Sequence, residues 1–163
     1  MNATDIALAL ISRDDFEGLR LSPYLCHAGY WTIGIGNRFT ADGAAITQRT
    51  APITRDEAVR LARETLEGLA AKLRAAVKVP LTPWQEGALL SWQFNVGTAA
   101  MRSSTLLALL NQRQYAAAGQ QLMRWDKATV NGRLTVLPGL QRRRRLELAV
   151  YSGHPIAGVS FTA

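Results

Sequence analysis

The stretch from Thr54 to Val77 constrains the fold more than any other part of the chain. Thr54-Arg55-Asp56-Glu57 is a capping box, in which a hydroxyl and a carboxylate three residues apart each satisfy a backbone N–H left open at a helix start. Ala58, Leu61, Ala62, Leu66, Leu69, Leu73 and Val77 then recur every three or four residues, as one apolar helical face does. Pro80 and Pro83 end the period. With 163 residues, about one domain's worth, the chain must be arranged around this one long helix.

The flanks differ in character. Residues 5–17 read as a helix: Ile6, Leu10 and Ile11 keep helical spacing, Phe16 extends the face, Thr4 is a plausible N-cap and Gly18 a stop. Between 23 and 50, glycines 29, 34, 36 and 43 punctuate residues rich in Tyr, Trp, Thr and Ile. Tyr30–Ile33 and Ala45–Thr47 read as short strands with Asp42-Gly43 as a turn, the only β segment expected. Everything after Pro83 reads as helix. Trp84, Ala88, Leu89, Trp92 and Val96 form a stripe ended by Gly97. Leu106–Leu110 is a short helix, and Tyr115, Ala118, Leu122 and Trp125 belong to the next. Asn131-Gly132 is a turn, and Pro138-Gly139 opens a last helix to about Tyr151. The expected class is α+β, mostly helical.

Composition excludes several functions. Hydrophobic residues at 48% and charged residues at 19% fit a packed core, not disorder. No apolar run approaches the roughly 20 residues of a membrane span. Ile6–Ile11 is too short for a secretory signal and has no basic residue ahead of it. Cys26 is the only cysteine, and with two histidines, His27 and His154, neither a disulfide framework nor a structural zinc site is expected. No metal or cofactor is expected. A net charge of +7 points to a polyanionic partner: nucleic acid, an anionic membrane surface or an acidic wall polymer.

Glu17, Cys26 and Thr32 bracket the junction from first helix to β segment, where a carboxyl, a thiol and a hydroxyl can converge on one cleft. Each also has an ordinary structural explanation: a solvated carboxylate, a small buried hydrophobe, a strand filler. Gly34-Ile35-Gly36 is no dinucleotide fingerprint, because the third glycine falls at Phe39 and no helix opens there. Cys26 and His27 are neighbours on an extended segment and point to opposite faces, which disfavours a thiol–imidazole pair. Arg142, Arg143, Arg144 and Arg145 cover the whole circumference of a helix, so they cannot all face one partner. Trp84 and Trp92, at helical spacing, read as core, not as a sugar platform.

The run Phe16-Glu17-Gly18-Leu19-Arg20-Leu21 and the run Tyr30-Trp31-Thr32-Ile33-Gly34-Ile35-Gly36 together closely resemble the active-site region of the phage lysozyme (endolysin) family, glycoside hydrolase family 24. Ile53–Ala58, Phe94-Asn95-Val96-Gly97 and Leu137-Pro138-Gly139-Leu140 followed by arginines are similar to further blocks of that family. The likeness covers roughly residues 5–153.

That resemblance implies a two-lobe fold of one lysozyme domain, 1–163, with a small β-containing lobe at about 14–60 and a helical lobe at about 61–163, the N-terminal helix 5–13 packing on the latter. It implies a muramidase, cleaving the β-1,4 bond between N-acetylmuramic acid and N-acetylglucosamine. Glycoside cleavage needs an acid on the leaving oxygen and a second group to manage water or a cationic sugar. Glu17 takes the role of acid and must hold its proton, which requires burial or a negative neighbour. Cys26 stands where many members have Asp, as thiolate or hydrogen-bonding orienter, and Thr32 orients water. Phe94 and Asn95 are expected in the cleft wall. One arginine of the final helix is expected to pair with Glu17, and Arg142 is a candidate substrate contact. Asn37, where many members have His, reads as a structural departure.

The implied partner is peptidoglycan, with contacts to anionic membrane or wall polymers suited by the charge; nucleic acid is not expected. A monomer is expected, held in the host cytoplasm until a holin releases it to periplasmic peptidoglycan. The rivals are a lytic transglycosylase, disfavoured by Cys26 and Thr32, and an inactive wall- or nucleic-acid-binding module, disfavoured by the intact spacing around Glu17.

Overall fold

The computed structural model describes residues 1–159. In chain order they form α1 (Ala3–Ile11), β1 (Arg20–Leu25), β2 (Trp31–Gly34), α2 (Arg55–Ala76), α3 (Pro83–Val96), α4 (Thr98–Arg102), α5 (Thr105–Asn111), α6 (Tyr115–Gln121), a 3-10 turn (Leu122–Arg124), β3 (Lys127–Val130), β4 (Arg133–Val136) and α7 (Pro138–Tyr151). The mostly helical α+β class is the one expected.

The long helix α2 follows its sequence signals. Thr54 is the N-cap, its hydroxyl accepting from the Glu57 N–H while the Glu57 carboxylate accepts from the Thr54 N–H, and Val77 is the C-cap. Ala58, Ala62, Leu66, Ala70 and Leu73 are its buried stripe. Helix α3 uses the same device, a Thr82–Gln85 capping box with Pro83 at its first turn. It is the hub of the fold, packed by α1, α7 and α2. Helix α1 comes so near that a Cβ on Gly87 would lie 2.6 Å from Ile6 Cγ2 and 3.0 Å from the Ala3 carbonyl. Only glycine fits there, and overpacking at such a contact costs roughly 1–3 kcal/mol.

The first helix is shorter than the sequence suggests. It starts at Ala3 because Asn2, not Thr4, is the cap, in reciprocal hydrogen bonds with Asp5. It stops at Ile11, not at residue 17. Asp14, Asp15 and Glu17 would put three carboxylates at the negative end of the helix dipole. The chain turns there instead: the Glu17 N–H reaches the Ile11 carbonyl at 3.1 Å, and the Gly18 N–H reaches Arg13 at φ +70°.

Four elements differ from the sequence expectation. Strand β1 hides behind Pro23 and an exposed surface, and pairs antiparallel with β2 (Tyr24 with Thr32, Leu25 with Trp31) across an irregularity before Arg20 meets Gly34. Short α4 starts directly from Gly97, which also caps α3. The hairpin β3–β4 stands where only helix was expected. Its turn, Asn131-Gly132, has φ of 50° and 77°, the two positive values of a tight hairpin turn. The expected strand at Ala45–Thr47 is instead a single bridge from Ala45 to Phe39, with the Ile46 N–H on the Arg38 carbonyl.

Candidate active site

Glu17 leaves the turn after α1 with its side chain 23% exposed, and its Oε1 accepts from Arg143 Nη1 at 2.8 Å. Of the arginine run on α7, Arg143 and Arg144 are buried, while Arg142 and Arg145 face outward. The expected partner of Glu17 is therefore Arg143. Arg142 lies beside it at the surface and pairs with Asp15 at 3.1 Å.

Arg143 is held on all sides. Its Nη2 donates to the Ser91 carbonyl at 3.0 Å, its Nε to Glu147 Oε1 at 3.1 Å, and its guanidinium carbon stands 4.6 Å from the centre of the Phe16 ring. Arg144 donates to Glu147 Oε2 at 2.5 Å, to the Trp125 carbonyl at 2.8 Å and to Asn95 Oδ1. Burial is the largest influence on Arg144 and pushes its guanidinium below the ordinary value; Glu147 and, less strongly, Glu17 oppose it. The sequence reading missed Glu147 and Ser91. The i,i+3 and i,i+4 spacing from Arg144 and Arg143 to Glu147 is the signal that could have found the former.

Gly36 forms the floor beneath Glu17. With φ +71°, a Cβ there would sit 3.0 Å from Glu17 Cγ and Oε2 and from Phe94 Cε1. The glycine thus clears the space in which Glu17 and the Phe94 ring meet. Asn95, next along α3, is exposed and lines a cavity of about 280 Å³ with Val96, Trp125, Lys127, Ala128, Leu140 and Arg144. The cavity shares Arg144 and Asn95 with the network behind Glu17.

Cys26 and Thr32 are joined through one carbonyl. The Cys26 N–H and the Thr32 hydroxyl both donate to the Tyr30 oxygen, at 3.0 and 2.9 Å. Burial pushes the Cys26 thiol up, but backbone hydrogen bonds at Tyr30 and Ala28, the Thr32 hydroxyl and the Arg38 charge outweigh it and hold the thiol below its ordinary value. The Thr32 hydroxyl has one proton, so it serves either the carbonyl or the thiolate at a given moment. Arg38 stacks over the Tyr30 ring at 3.8 Å. Tyr24 is half-buried under Arg20. Burial raises its phenol, and the charges of Glu17 and, less strongly, Cys26 raise it further. The phenol thus feels the charges of both Glu17 and Cys26.

The remaining candidates are structural. Asn37 is buried and donates from Nδ2 to Thr65 Oγ1 at 2.9 Å, tying the segment after β2 to α2. Trp92 is wholly buried, edge-on to Trp125 at 5.4 Å between ring centres. Among the described residues no group of three or more His, Cys, Asp or Glu side chains is placed to hold a metal ion.

A carboxyl held by an arginine on one wall, with a lowered thiol and a hydroxyl on the other, has the parts glycoside cleavage asks for. The chain is also similar to known cell-wall enzymes. The chain is 40% identical over 151 residues to the endolysin of Acyrthosiphon pisum secondary endosymbiont phage 1, covering 93% of this chain and 98% of that one. Its fold matches the endolysin from Escherichia coli O157:H7 phage FAHEc1 with a TM-score of 0.82 at 30% identity, over 96% of both chains. It matches the muramidase domain of SpmX from Asticaccaulis excentricus with a TM-score of 0.76 at 32% identity, over 89% and 93%. The phage lysozyme family model covers residues 14–147. On that match and those relatives, the chain belongs to the phage lysozyme family and is a hydrolase of the bacterial cell wall.

Proposed function

We propose that this lysozyme hydrolyses the β-1,4 bond between N-acetylmuramic acid and N-acetylglucosamine in peptidoglycan, with Glu17 as general acid. The observation that supports the reading is the Glu17 carboxyl over Gly36 beside the Phe94 ring, its neighbour being the cation Arg143 and not the negative group the sequence reading asked for. Cys26 acts in the position that Asp commonly fills, as thiolate or as hydrogen-bonding orienter, and Thr32 orients the attacking water. Phe94 and Asn95 form the cleft wall, and exposed Arg142 meets the anionic polymer. The β-containing lobe runs over about residues 14–60 and the helical lobe from about 61 onward, with residues 5–13 on the latter and the expected end at 160–163 outside the described residues; the packing of α1 on α3 supports this division.

The enzyme acts as a monomer, stays in the host cytoplasm until a holin releases it, and then meets periplasmic peptidoglycan. Mass spectrometry of fragments released from purified peptidoglycan tests the chemistry. Hydrated reducing-end muramic acid is expected. Anhydro ends would make the enzyme a lytic transglycosylase and return Cys26 to packing. Unchanged wall binding by Glu17→Gln with lysis lost would separate the enzyme from a binding module.

A further inference from the structure

A buried carboxylate with no assigned part in the reaction stands at the centre of the scaffolding behind the site. The Glu147 side chain is 0% exposed, and each of its oxygens takes a different arginine. Oε1 accepts from Arg143 Nε at 3.1 Å and from the Ser91 hydroxyl at 2.8 Å, and Oε2 accepts from Arg144 Nη1 at 2.5 Å. Beyond these contacts the two arginines diverge. Arg143 reaches Glu17 at 2.8 Å, and Arg144 reaches Asn95 and the Trp125 carbonyl on the cavity wall.

We propose that Glu147 is a positioning residue for bond cleavage: it holds the two guanidinium forks in one register and sets the positive charge that Glu17 meets. The proposal rests on the reading of Glu17 as the acid. The charge argument is direct. With Glu17 protonated, Arg143, Arg144 and Glu147 carry one net positive charge; with Glu17 ionised the cluster is neutral. Removing the Glu147 charge adds a second uncompensated positive charge, which favours ionised Glu17 and moves its proton loss to lower pH. Removing the Arg144 charge cancels the excess and moves it to higher pH. The other groups facing Glu17, the Tyr24 phenol with Arg20 and Cys26 behind it on the β side, are the same in both variants.

The test uses the full chain labelled with 13C-glutamate, the Glu17 carboxyl signal being assigned by its loss in Glu17→Gln. Its titration and the pH profile of peptidoglycan cleavage are followed in wild type, Glu147→Gln and Arg144→Met, each below its own melting transition. The expected result is a displacement on the order of one pH unit, downward in Glu147→Gln and upward in Arg144→Met, with the alkaline limb of activity following the signal. A packing role alone lowers activity in both without moving the midpoint in opposite directions. If Glu147→Gln does not fold, the upward displacement in Arg144→Met carries the test. Unmoved midpoints, or midpoints moving the same way, overturn the proposal. Lysis by Glu17→Gln would overturn the acid assignment and the proposal with it; an inactive Glu17→Gln with unmoved midpoints overturns the positioning role alone.

Discussion

The two hairpins of this chain are built in opposite ways. In β3–β4 every residue from Lys127 to Val130 faces one from Arg133 to Val136 in unbroken register, the turn is tight, and Leu134 is 73% exposed. In β1–β2 the register slips, the connection is longer, and Thr32, Ile33 and Gly34 are buried in a strand that packs on α2. The regular hairpin is held by its own ladder and turn, since it has little to bury. The irregular one can do with less backbone pairing because tertiary contacts replace it, and at its regular end the Tyr30 carbonyl takes both the Cys26 N–H and the Thr32 hydroxyl. The proposed chemistry of Cys26 and Thr32 is therefore assigned to the β unit that would be poorest on its own.

This contrast can be tested from its strongest consequence downward. Glu17→Gln, facing the irregular hairpin, is expected to lower peptidoglycan cleavage by roughly 10²–10⁴-fold, the usual worth of an acid or base. A fully active variant would remove the cleft from the centre of function. Next, Cys26→Ala should lose most of the lysis measured by turbidity, while Cys26→Asp keeps a substantial part. Equal rates for Cys26→Ala and wild type would reduce the thiol to filler.

Gly36→Ala should destabilise by roughly 1–3 kcal/mol and also slow cleavage, because the added methyl pushes on Glu17 and Phe94. Chemical denaturation and initial rates, measured side by side, show whether both fall. At the other hairpin Gly132→Ala, at φ +77°, should cost roughly 1 kcal/mol with the cleavage rate intact. A rate loss there would show that the second hairpin takes part in the reaction.

The smallest effect is a pH dependence. Folding holds the Cys26 thiol below its ordinary value, against burial, through the Tyr30 and Ala28 hydrogen bonds, Thr32 and Arg38. Its ionised form thus contributes stability that is complete above the ordinary thiol range of about 8.5 and is lost as the pH falls through the lower folded value. The difference in melting temperature between wild type and Cys26→Ala should widen as the pH rises from about 6 to about 9. Alkylation rates of Cys26 should titrate below a free thiol, and Arg38→Gln should bring that midpoint up. A midpoint at or above the free thiol would contradict the hydrogen-bonded setting.

Legibility along the chain follows the range of the signal. Helix α2 begins at its capping box and α7 at its proline, because such signals act within three or four residues. The β3–β4 hairpin was passed over although Asn131-Gly132 announced its turn, since neither strand has an apolar face turned inward to set a period of two. The first helix reads too long from sequence because Phe16 fits its face, while the three carboxylates that end it carry no periodicity.

The sequence alone determined the class, the long axial helix, the family likeness and the nomination of Glu17, Cys26 and Thr32, all of which depend on residues within short, ordered runs. Only the tertiary structure decided that Arg143 is the arginine on Glu17, 126 residues away, that Glu147 joins it to Arg144, and that Gly36 must lack a side chain for Glu17 and Phe94 to meet. Those facts depend on how α7, α3 and the β2 turn approach one another in space, and a linear order of residues does not specify the direction in which a buried side chain points until the elements around it are packed.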